Sequence, residues 1–411
     1  MAVQPQPGGK DILTLPSGRT LAWTVYGDDQ TNDQQEPPAA IFYFHGYPGC
    51  SSEAILIEPE YLKQRNVRVV AIDRPGFGNS THYSDRRILD WPKDVLAVAD
   101  HLKIHHFHVL GVSGGGPYAL ACAHSIPRIN GDALDEASNG RLLGVAVMCG
   151  AYPFTLNAKG MLPELRALLT AGAWLPRLAT GGMLDWVMGR PARDPDPKVL
   201  EKTLDTAMMK RPGTEKAAWI KPYIRAAAID SIRGAFRNGG AGSATELMLL
   251  NDWGFDLEDV EGRGIRLWHG KLDRNSPFSM AEQAAEMLPG TETHFFDENG
   301  HLDMGFHVGE ILDNLLGKGD DSSDADETNR VNALRETDEP QKTDEPQEAD
   351  KSNKPEENDK VNESKETEES QGTDESTKAD KGKESRGADE STETDKANEP
   401  KDANQPKDAS E

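Results

Sequence analysis

The sequence predicts an α/β fold: a mostly parallel sheet with helices on both faces, an inserted helical cap, and a disordered acidic C-terminal tail. Three observations predict it. Short continuous apolar runs, such as Ala39 to Phe44 and Val67 to Ile72, alternate with stretches of helical spacing, the mark of strands buried on both faces of a parallel sheet. From Pro153 to about Trp253 this alternation gives way to helix-like sequence rich in Leu, Ala, Met and Trp and broken by Pro and Gly. From Lys318 to Glu411 there is no Phe, Trp or Tyr, and such a stretch has too little apolar surface to offset its chain entropy. The 411 residues therefore divide into a core (1–152), a helical cap (153–253), the rest of the core (254–317) and a tail (318–411).

Taken in order, Asp11 to Leu15 and Thr20 to Tyr26 read as two strands around the Pro16-Ser17-Gly18 turn. Residues 28–38 are polar loop. Ala39 to Phe44 and Val67 to Ile72 read as buried strands, with a helix between them over Glu53 to Gln64. Trp91 to Leu102 has helical apolar spacing at Val95, Val98 and Leu102. A strand ending at Val109-Leu110 runs into Gly111-Val112-Ser113-Gly114-Gly115 and then a helix from Pro117 to Ser125. Leu142 to Met148 is a further buried strand. Beyond the insertion come a strand at Ile265 to Trp268 and a helix over Pro277 to Leu288, with Ser276 as its N-cap. A strand at Glu292 to Phe296 and a helix from Asp303 to Leu316 complete the core. The last helix spaces Met304, Val308, Ile311, Leu312 and Leu315 by threes and fours, which predicts the face it packs on the sheet, and Gly317 suits its end.

Composition narrows the function. The formal net charge is −25, the pI is near 4.9 and the mean hydropathy is −0.66, which argues against nucleic acid as a partner. No apolar run is long enough for a stable membrane span, and the polar, Pro/Gly-rich stretch from Met1 to Lys10 does not read as a signal peptide. Three widely spaced cysteines, Cys50, Cys122 and Cys149, form neither a disulfide framework nor a metal pattern, so a reducing, cytoplasmic setting is expected. In the tail, Thr337-Asp338-Glu339-Pro340-Gln341 recurs as Thr343-Asp344-Glu345-Pro346-Gln347, repeat expansion in a solvating segment.

Gly111-Val112-Ser113-Gly114-Gly115 is a G-x-S-x-G turn between a strand and a helix. A serine there stands clear of the sheet, with a helix N-terminus behind it to favour developing negative charge. Serine chemistry also needs a base, an orienting acid and an oxyanion site, and in open α/β sheets these gather where strands end. After Ile265 to Trp268 comes His269-Gly270-Lys271-Leu272-Asp273, where Asp273 is either the acid or a turn residue. After His294-Phe295-Phe296 comes Asp297-Glu298-Asn299-Gly300-His301, where His301 is either the base or a solvated loop histidine. The stretch after Met148, Cys149-Gly150-Ala151-Tyr152, offers no carboxylate, so Asp273 is the natural acid. His105, His106 and His108 lack metal-ligand spacing and read as structural, His307 lies in the last helix, and Cys50 reads as a structural thiol. For the oxyanion, the N–H of Gly114 is one donor. The other is expected from the loop after the Ala39 to Phe44 strand, at the backbone N–H of Tyr47 in His45-Gly46-Tyr47-Pro48-Gly49.

From about Asp11 to Leu316 the sequence resembles a capped α/β-hydrolase of the serine-nucleophile, esterase/lipase-like branch. The resemblance is carried by His45-Gly46-Tyr47-Pro48-Gly49, Asp73-Arg74-Pro75-Gly76-Phe77-Gly78-Asn79-Ser80, the Ser113 turn, Gly270-Lys271-Leu272-Asp273 with Pro277, and Gly300-His301, in the family's chain order. It implies an α/β-hydrolase fold with Ser113 as nucleophile, His301 as base, Asp273 as orienting acid and Tyr47 and Gly114 as oxyanion donors. It implies neither a metal nor an organic cofactor. Haloalkane dehalogenases and epoxide hydrolases of this superfamily carry an Asp nucleophile, so Ser113 argues against both. The expected substrate is a small acyl compound. The Met and Trp of the cap point either to an apolar substrate portion or to packing of the cap's underside. A proline-iminopeptidase-like peptidase, with Glu164, Asp185 or Glu215 holding a free amine, a C–C bond hydrolase and a non-catalytic ligand receptor or scaffold remain open.

Overall fold

The computed structural model describes residues 11–27, 37–126, 140–211, 213–262 and 264–318. The expectations for residues 1–10, most of the polar loop at 28–38 and the tail beyond Lys318 lie outside the described residues.

The strands are β1 (Asp11–Thr14), β2 (Thr20–Gly27), β3 (Ala39–Phe44), β4 (Val67–Ile72), β5 (Phe107–Val112), β6 (Leu142–Met148), β7 (Ile265–Gly270) and β8 (Glu292–Phe296). They form one eight-stranded sheet in the order β1-β2-β4-β3-β5-β6-β7-β8. β1 and β2 pair antiparallel and β2 runs antiparallel to β4, while every pair from β4 to β8 is parallel. Because β4 and β5 flank β3 on opposite sides, the chain reverses direction across the sheet at β3/β5. The loops after these two strands therefore diverge and open a crevice at their carboxyl ends, the usual ligand position in such sheets.

Side-chain alternation divides the core into two layers. On β3, Ala40, Phe42 and Phe44 face one layer, with Val70 and Ile72 of β4 and Val109 of β5. That layer is covered by α2 (Trp91–His101), α3 (Gly116–Ser125) and α11 (Phe278–Met287). Ile41 and Tyr43 face the other layer with Val69, Leu110, Ala146 and Trp268. There α1 (Pro59–Arg65) contributes Leu62, and α12 (Val308–Leu315) contributes Ile311, Leu312 and Leu315, with Met304 just before it. Met304, Ile311, Leu312 and Leu315 are buried as the spacing predicts, Val308 is half-buried, and Gly317 ends the helix at φ +67°.

Between β6 and β7 the chain forms α4 (Pro163–Trp174), α5 (Arg177–Leu184), α6 (Arg190–Arg193), α7 (Pro197–Met208), α8 (Gly213–Trp219), α9 (Pro222–Ala235) and α10 (Ala241–Asn251). These helices bury a core of their own around Leu184, Leu200, Ile229, Phe236 and Leu247, into which the body inserts Phe77.

Some elements differ from expectation in detail. The helix expected over Glu53 to Gln64 is divided into a 3-10 turn at Ser51–Leu56 and α1. Pro59 causes this: it lacks an N–H and would clash with the preceding turn, but it fits the first position of a new helix. The helix expected from Asp303 begins as a 3-10 turn, Asp303–His307, before α12. Ser276 does not cap α11. Its hydroxyl donates to Gly150 O at 2.6 Å, and Pro277 occupies the cap position. No helix among the described residues is long and apolar enough to cross a membrane.

Candidate active site

Ser113 follows β5 directly and leads through a 3-10 turn into α3. Its φ is +50°, a left-handed conformation that a side chain adopts only when the surroundings enforce it. The flanking glycines show what enforces it. A methyl on Gly111 would lie 2.6 Å from Gly115 O, and one on Gly115 would lie 2.1 Å from Phe44 O. The turn is packed so tightly against β3 and the start of α3 that only hydrogen fits at either position.

Three sequence-proposed residues from three separate loops meet here. His301 Nε2 lies 3.0 Å from Ser113 Oγ, and His301 Nδ1 lies 2.6 Å from Asp273 Oδ2. The other carboxylate oxygen of Asp273 accepts the N–H groups of Asn275 at 2.7 Å and Ser276 at 3.0 Å. The turn role weighed for Asp273 is thus filled by one oxygen and the histidine contact by the other. Burial pushes the Asp273 carboxyl up, but His301 and the backbone donors outweigh it and hold it below the ordinary carboxylate range. Burial pulls His301 down, but the charge and hydrogen bond of Asp273, with Glu215 beyond, hold it above the ordinary histidine value.

The loop after β3 lies alongside. Gly46 N–H donates to Glu53 Oε1 at 2.8 Å, which ties the residue before Tyr47 in place. A methyl on Gly114 would lie 3.2 Å from Tyr47 N and 2.6 Å from Tyr47 Cβ. The two backbone donors proposed from sequence thus stand beside each other, next to Ser113. The Tyr47 hydroxyl is directed elsewhere and donates to Ser243 O at 3.2 Å.

Several supporting groups were not assigned to the site from sequence. Glu53 also accepts the Tyr43 hydroxyl at 2.9 Å, and burial pushes its carboxyl up. Arg74 donates to the carbonyls of His45 and of Gly46, the latter at 3.0 Å, and so fixes the loop from below. Its Nε lies 2.9 Å from Oε1 of Glu246 on α10. Glu246 Oε2 in turn accepts Arg86 and, at 2.8 Å, the Tyr118 hydroxyl of α3. Burial pushes Glu246 up, but the Arg74 and Arg86 guanidinia outweigh it and keep it below the usual range. The one available signal was Arg74 in the Asp73-Arg74-Pro75-Gly76 motif; nothing local marks Glu246 as its partner.

Of the three acids considered on the helices between β6 and β7, Glu215 alone reaches the histidine. It is buried on α8, accepts His301 N–H at 3.3 Å and lies 3.6 Å from Arg211. Burial pushes its carboxyl up. Glu164 is exposed on α4, and Asp185 pairs with Arg193 at 2.7 Å. The Trp residues of the cap do not follow either expectation as a set. Trp219 and Trp253 are buried, whereas Trp174 and Trp186 are exposed.

Cys149, His269 and Asp273 bring ligand-type atoms within 4.8 Å of one another. Burial holds the Cys149 thiol well above its ordinary pKa, His269 Nε2 lies 2.7 Å from Ser276 O, and both Asp273 oxygens are engaged. A protonated thiol and an engaged carboxylate suit a hydrogen-bonded cluster behind His301 better than a metal. Cys50, Cys122 and Cys149 are buried, and Cys50 N–H donates to Ser231 Oγ of α9 at 3.1 Å.

The model of the alpha/beta hydrolase family matches residues 41–311. The chain belongs to that family. Among curated relatives of this α/β-hydrolase is the dihydrolipoyllysine-residue acetyltransferase component of the acetoin cleaving system of Pseudomonas putida. It is 33% identical over 193 residues, which are 43% of this chain and 47% of the relative. A proline iminopeptidase of Lactobacillus crispatus is 31% identical over 84 residues, 20% of this chain and 29% of that one. The chain thus spans about half the length of the first of these relatives and less of the second. Among solved structures, an esterase from Thermogutta terrifontis shares 18% identity at a TM-score of 0.49, over 76% of this chain and 99% of that one. A hydrolase from Pseudomonas aeruginosa shares 16% at 0.49, over 75% and 99%.

Proposed function

We propose that this α/β-hydrolase cleaves an ester, thioester or related acyl bond through an acyl-Ser113 intermediate. The observation that carries the reading is the continuous line of contacts from Asp273 through His301 to Ser113, at 2.6 and 3.0 Å. In this mechanism His301 Nε2 takes the Ser113 proton as Oγ attacks the acyl carbon. It then gives that proton to the leaving group, and afterwards takes one from the water that releases the acid. Asp273 keeps the Nδ1–H tautomer and stabilises the imidazolium formed in each half-reaction. The N–H groups of Tyr47 and Gly114 donate to the oxyanion. Pre-aimed donors of this kind are worth about 3 kcal/mol each.

The cap acids weigh against the peptidase alternative: Glu215 and Asp185 are engaged with arginines and Glu164 is exposed, so none stands ready for a substrate amine. The test is a fluorophosphonate probe followed by peptide mass mapping, beside a panel of p-nitrophenyl esters and aminoacyl amides. Labelling at Ser113, ester turnover and loss of both in Ser113→Ala are expected. Asp273→Asn should lower kcat by about ten-thousand-fold, as expected when the wrong imidazole tautomer is favoured. Labelling that persists in Ser113→Ala, or turnover of amides alone, overturns the reading.

A further inference from the structure

The outer surface of the inserted helices carries an apolar stripe that has no counterpart among the described residues of the body. α5 continues without a break through a π-type turn at Asp185–Gly189 into α6, forming one helical rod from 177 to 193. One side of the rod is covered: Thr180, Gly181 and Leu184 are buried, and Gly181 lies against Gly240 and Ala241. The opposite side repeats at intervals of four, and its members are apolar or small: Leu178, Gly182 and Trp186, with Met183 and Val187 beside them. Leu178 is 89% exposed and Trp186 66%, and Trp174, just before the rod, is 83% exposed. A soluble helix normally turns charge outward on such a face. Two tryptophans, a leucine, a methionine and a valine held toward solvent on adjoining turns form the kind of patch that marks a docking surface.

Charge identifies the occupant. The chain as a whole is strongly acidic, yet residues 153–253 hold fourteen Lys and Arg against ten Asp and Glu. On the rod itself Arg193 pairs with Asp185 and Arg177 with Asp85 of the body, so the cationic excess is carried by Arg190 and by Arg166, exposed on α4. Two copies meeting through this stripe would bring like-charged caps together. An anionic apolar boundary accepts both features, because tryptophan favours the headgroup level of a bilayer and arginine its phosphates. The surroundings of the stripe weigh most in such a contact, since at physiological salt exposed charges farther than about 8 Å are largely screened.

We propose that the stripe formed by Leu178, Met183, Trp186 and Val187, with Trp174 at its head, docks this protein on an anionic lipid surface. The inference does not depend on the proposed chemistry at Ser113. The experiment uses the full chain with vesicles of phosphatidylcholine alone or mixed with phosphatidylglycerol, in about 0.15 M salt. Co-sedimentation with the mixed vesicles, quenching of tryptophan fluorescence by brominated acyl chains, and weaker binding to pure phosphatidylcholine are expected. Leu178→Glu with Trp186→Glu should reduce partitioning by about tenfold or more. The Tm and the turnover of a soluble ester should stay unchanged, because both side chains lie in solvent away from Ser113. If that pair fails to fold, Trp174→Ser with Trp186→Ser gives the same readout. Absence of binding, equal binding to both vesicle types, or binding indifferent to these variants overturns the proposal. So does a dimer in sedimentation that the variants disperse without any vesicle binding, since a second copy would then cover the stripe.

Discussion

Two helices of this chain are apolar on almost every side, and they meet opposite environments. α3 buries every residue from Gly116 to Ala123, between the sheet and α2 and directly behind Ser113. The rod that begins with α5 buries Thr180, Gly181 and Leu184 and leaves Leu178, Met183 and Trp186 in solvent. The difference lies in neighbours. The hydrophobic effect is non-directional, so a helix apolar all round needs a layer on each side. The sheet and α2 give α3 both; α5 packs on α10 with its Thr180, Gly181 and Leu184 side and turns its other side to solvent. Charge is distributed the opposite way. The body joins the cap through the buried set of Arg74, Arg86 and Glu246, while the outer cap keeps its ion pairs near the surface.

The largest expected effect tests that buried join. Glu246→Ala strands two guanidinia in a buried site. Removing one partner of a buried pair costs about 3–5 kcal/mol, which in a domain of this size is a fall in Tm of about 10 °C. Because Arg74 also holds the His45 and Gly46 carbonyls, kcat should fall even in the folded fraction. The pH dependence follows the same carboxylate. Its folded pKa is depressed, so its contribution is complete above the ordinary carboxylate range and disappears as the pH drops through the folded value. A Tm within about 2 °C of wild type would mean the join is not structural.

A pair of glycines sharpens the comparison at the next level. In Gly114→Ala the new methyl meets Tyr47 at 2.6 Å and must push one of the two proposed donors out of line. Loss of one donor corresponds to about a hundred- to a thousand-fold in kcat, measured on a p-nitrophenyl ester. In Gly182→Ala, on the outer face of α5, nothing lies within 4 Å. There the change should stabilise by about 0.4–1 kcal/mol by restricting the unfolded chain, with kcat unchanged. Equal losses at both positions would refute the donor geometry.

What the sequence disclosed follows the same division. The body was legible because each of its signals is local. Apolar runs made strands, and the turn residues around Ser113 fixed a backbone conformation that only that pattern permits. Asp273 and His301 could be picked out because strand ends in such a sheet converge. Glu246 was not legible, since it is an ordinary helix glutamate until α10 is placed 172 residues from Arg74 in sequence and 2.9 Å from it in space. Glu215 could be named among three acids but not chosen, because the choice depends on how α8 lies against the 3-10 turn that follows His301. Pro59 was legible in principle: its missing N–H ends one turn and starts the next helix, a rule that the apolar spacing around it obscured. The exposure of Trp174 and Trp186 was hidden for the opposite reason, since apolar spacing predicts burial and does not count the layers available to provide it.

Glu215 carries the third prediction, of a shift and not a loss. Its carboxylate is one of the groups that hold His301 above the ordinary histidine value. A base must be neutral to act, so turnover appears as the pH rises through the His301 pKa. Glu215→Gln removes the charge and keeps an acceptor for His301 N–H, so the acid limb of the kcat/KM profile should move to lower pH while the plateau stays near wild type. Movement to higher pH would mean that the burial of Glu215, and not its charge, governs the histidine.

The smallest effect is expected at the outer cap, where the contrast with Glu246 is most direct. Asp185 lies 2.7 Å from Arg193, a closer pair than Arg74 and Glu246 at 2.9 Å. The Arg193 hydrogen bond, against a smaller opposing effect of burial, holds Asp185 below the usual carboxylate range. Distance alone would make this the stronger of the two. Solvent reverses the order: Arg193 and Asp185 are 35% and 29% exposed in their side chains, whereas Arg74 and Glu246 are both at 0%. Water screens the attraction and rehydrates whichever partner remains, and Arg193 retains the Phe236 carbonyl at 3.0 Å. Exposed pairs of this kind contribute about 0–1 kcal/mol. Asp185→Asn should therefore lower the Tm by no more than about 2–4 °C in about 0.15 M salt. Raising the salt should narrow even that difference, because the part that is Coulombic is screened. A loss near that of Glu246→Ala would show the rod to be clamped to the cap by charge, and the division between a charge-fastened interior and a loosely paired outer layer would not stand.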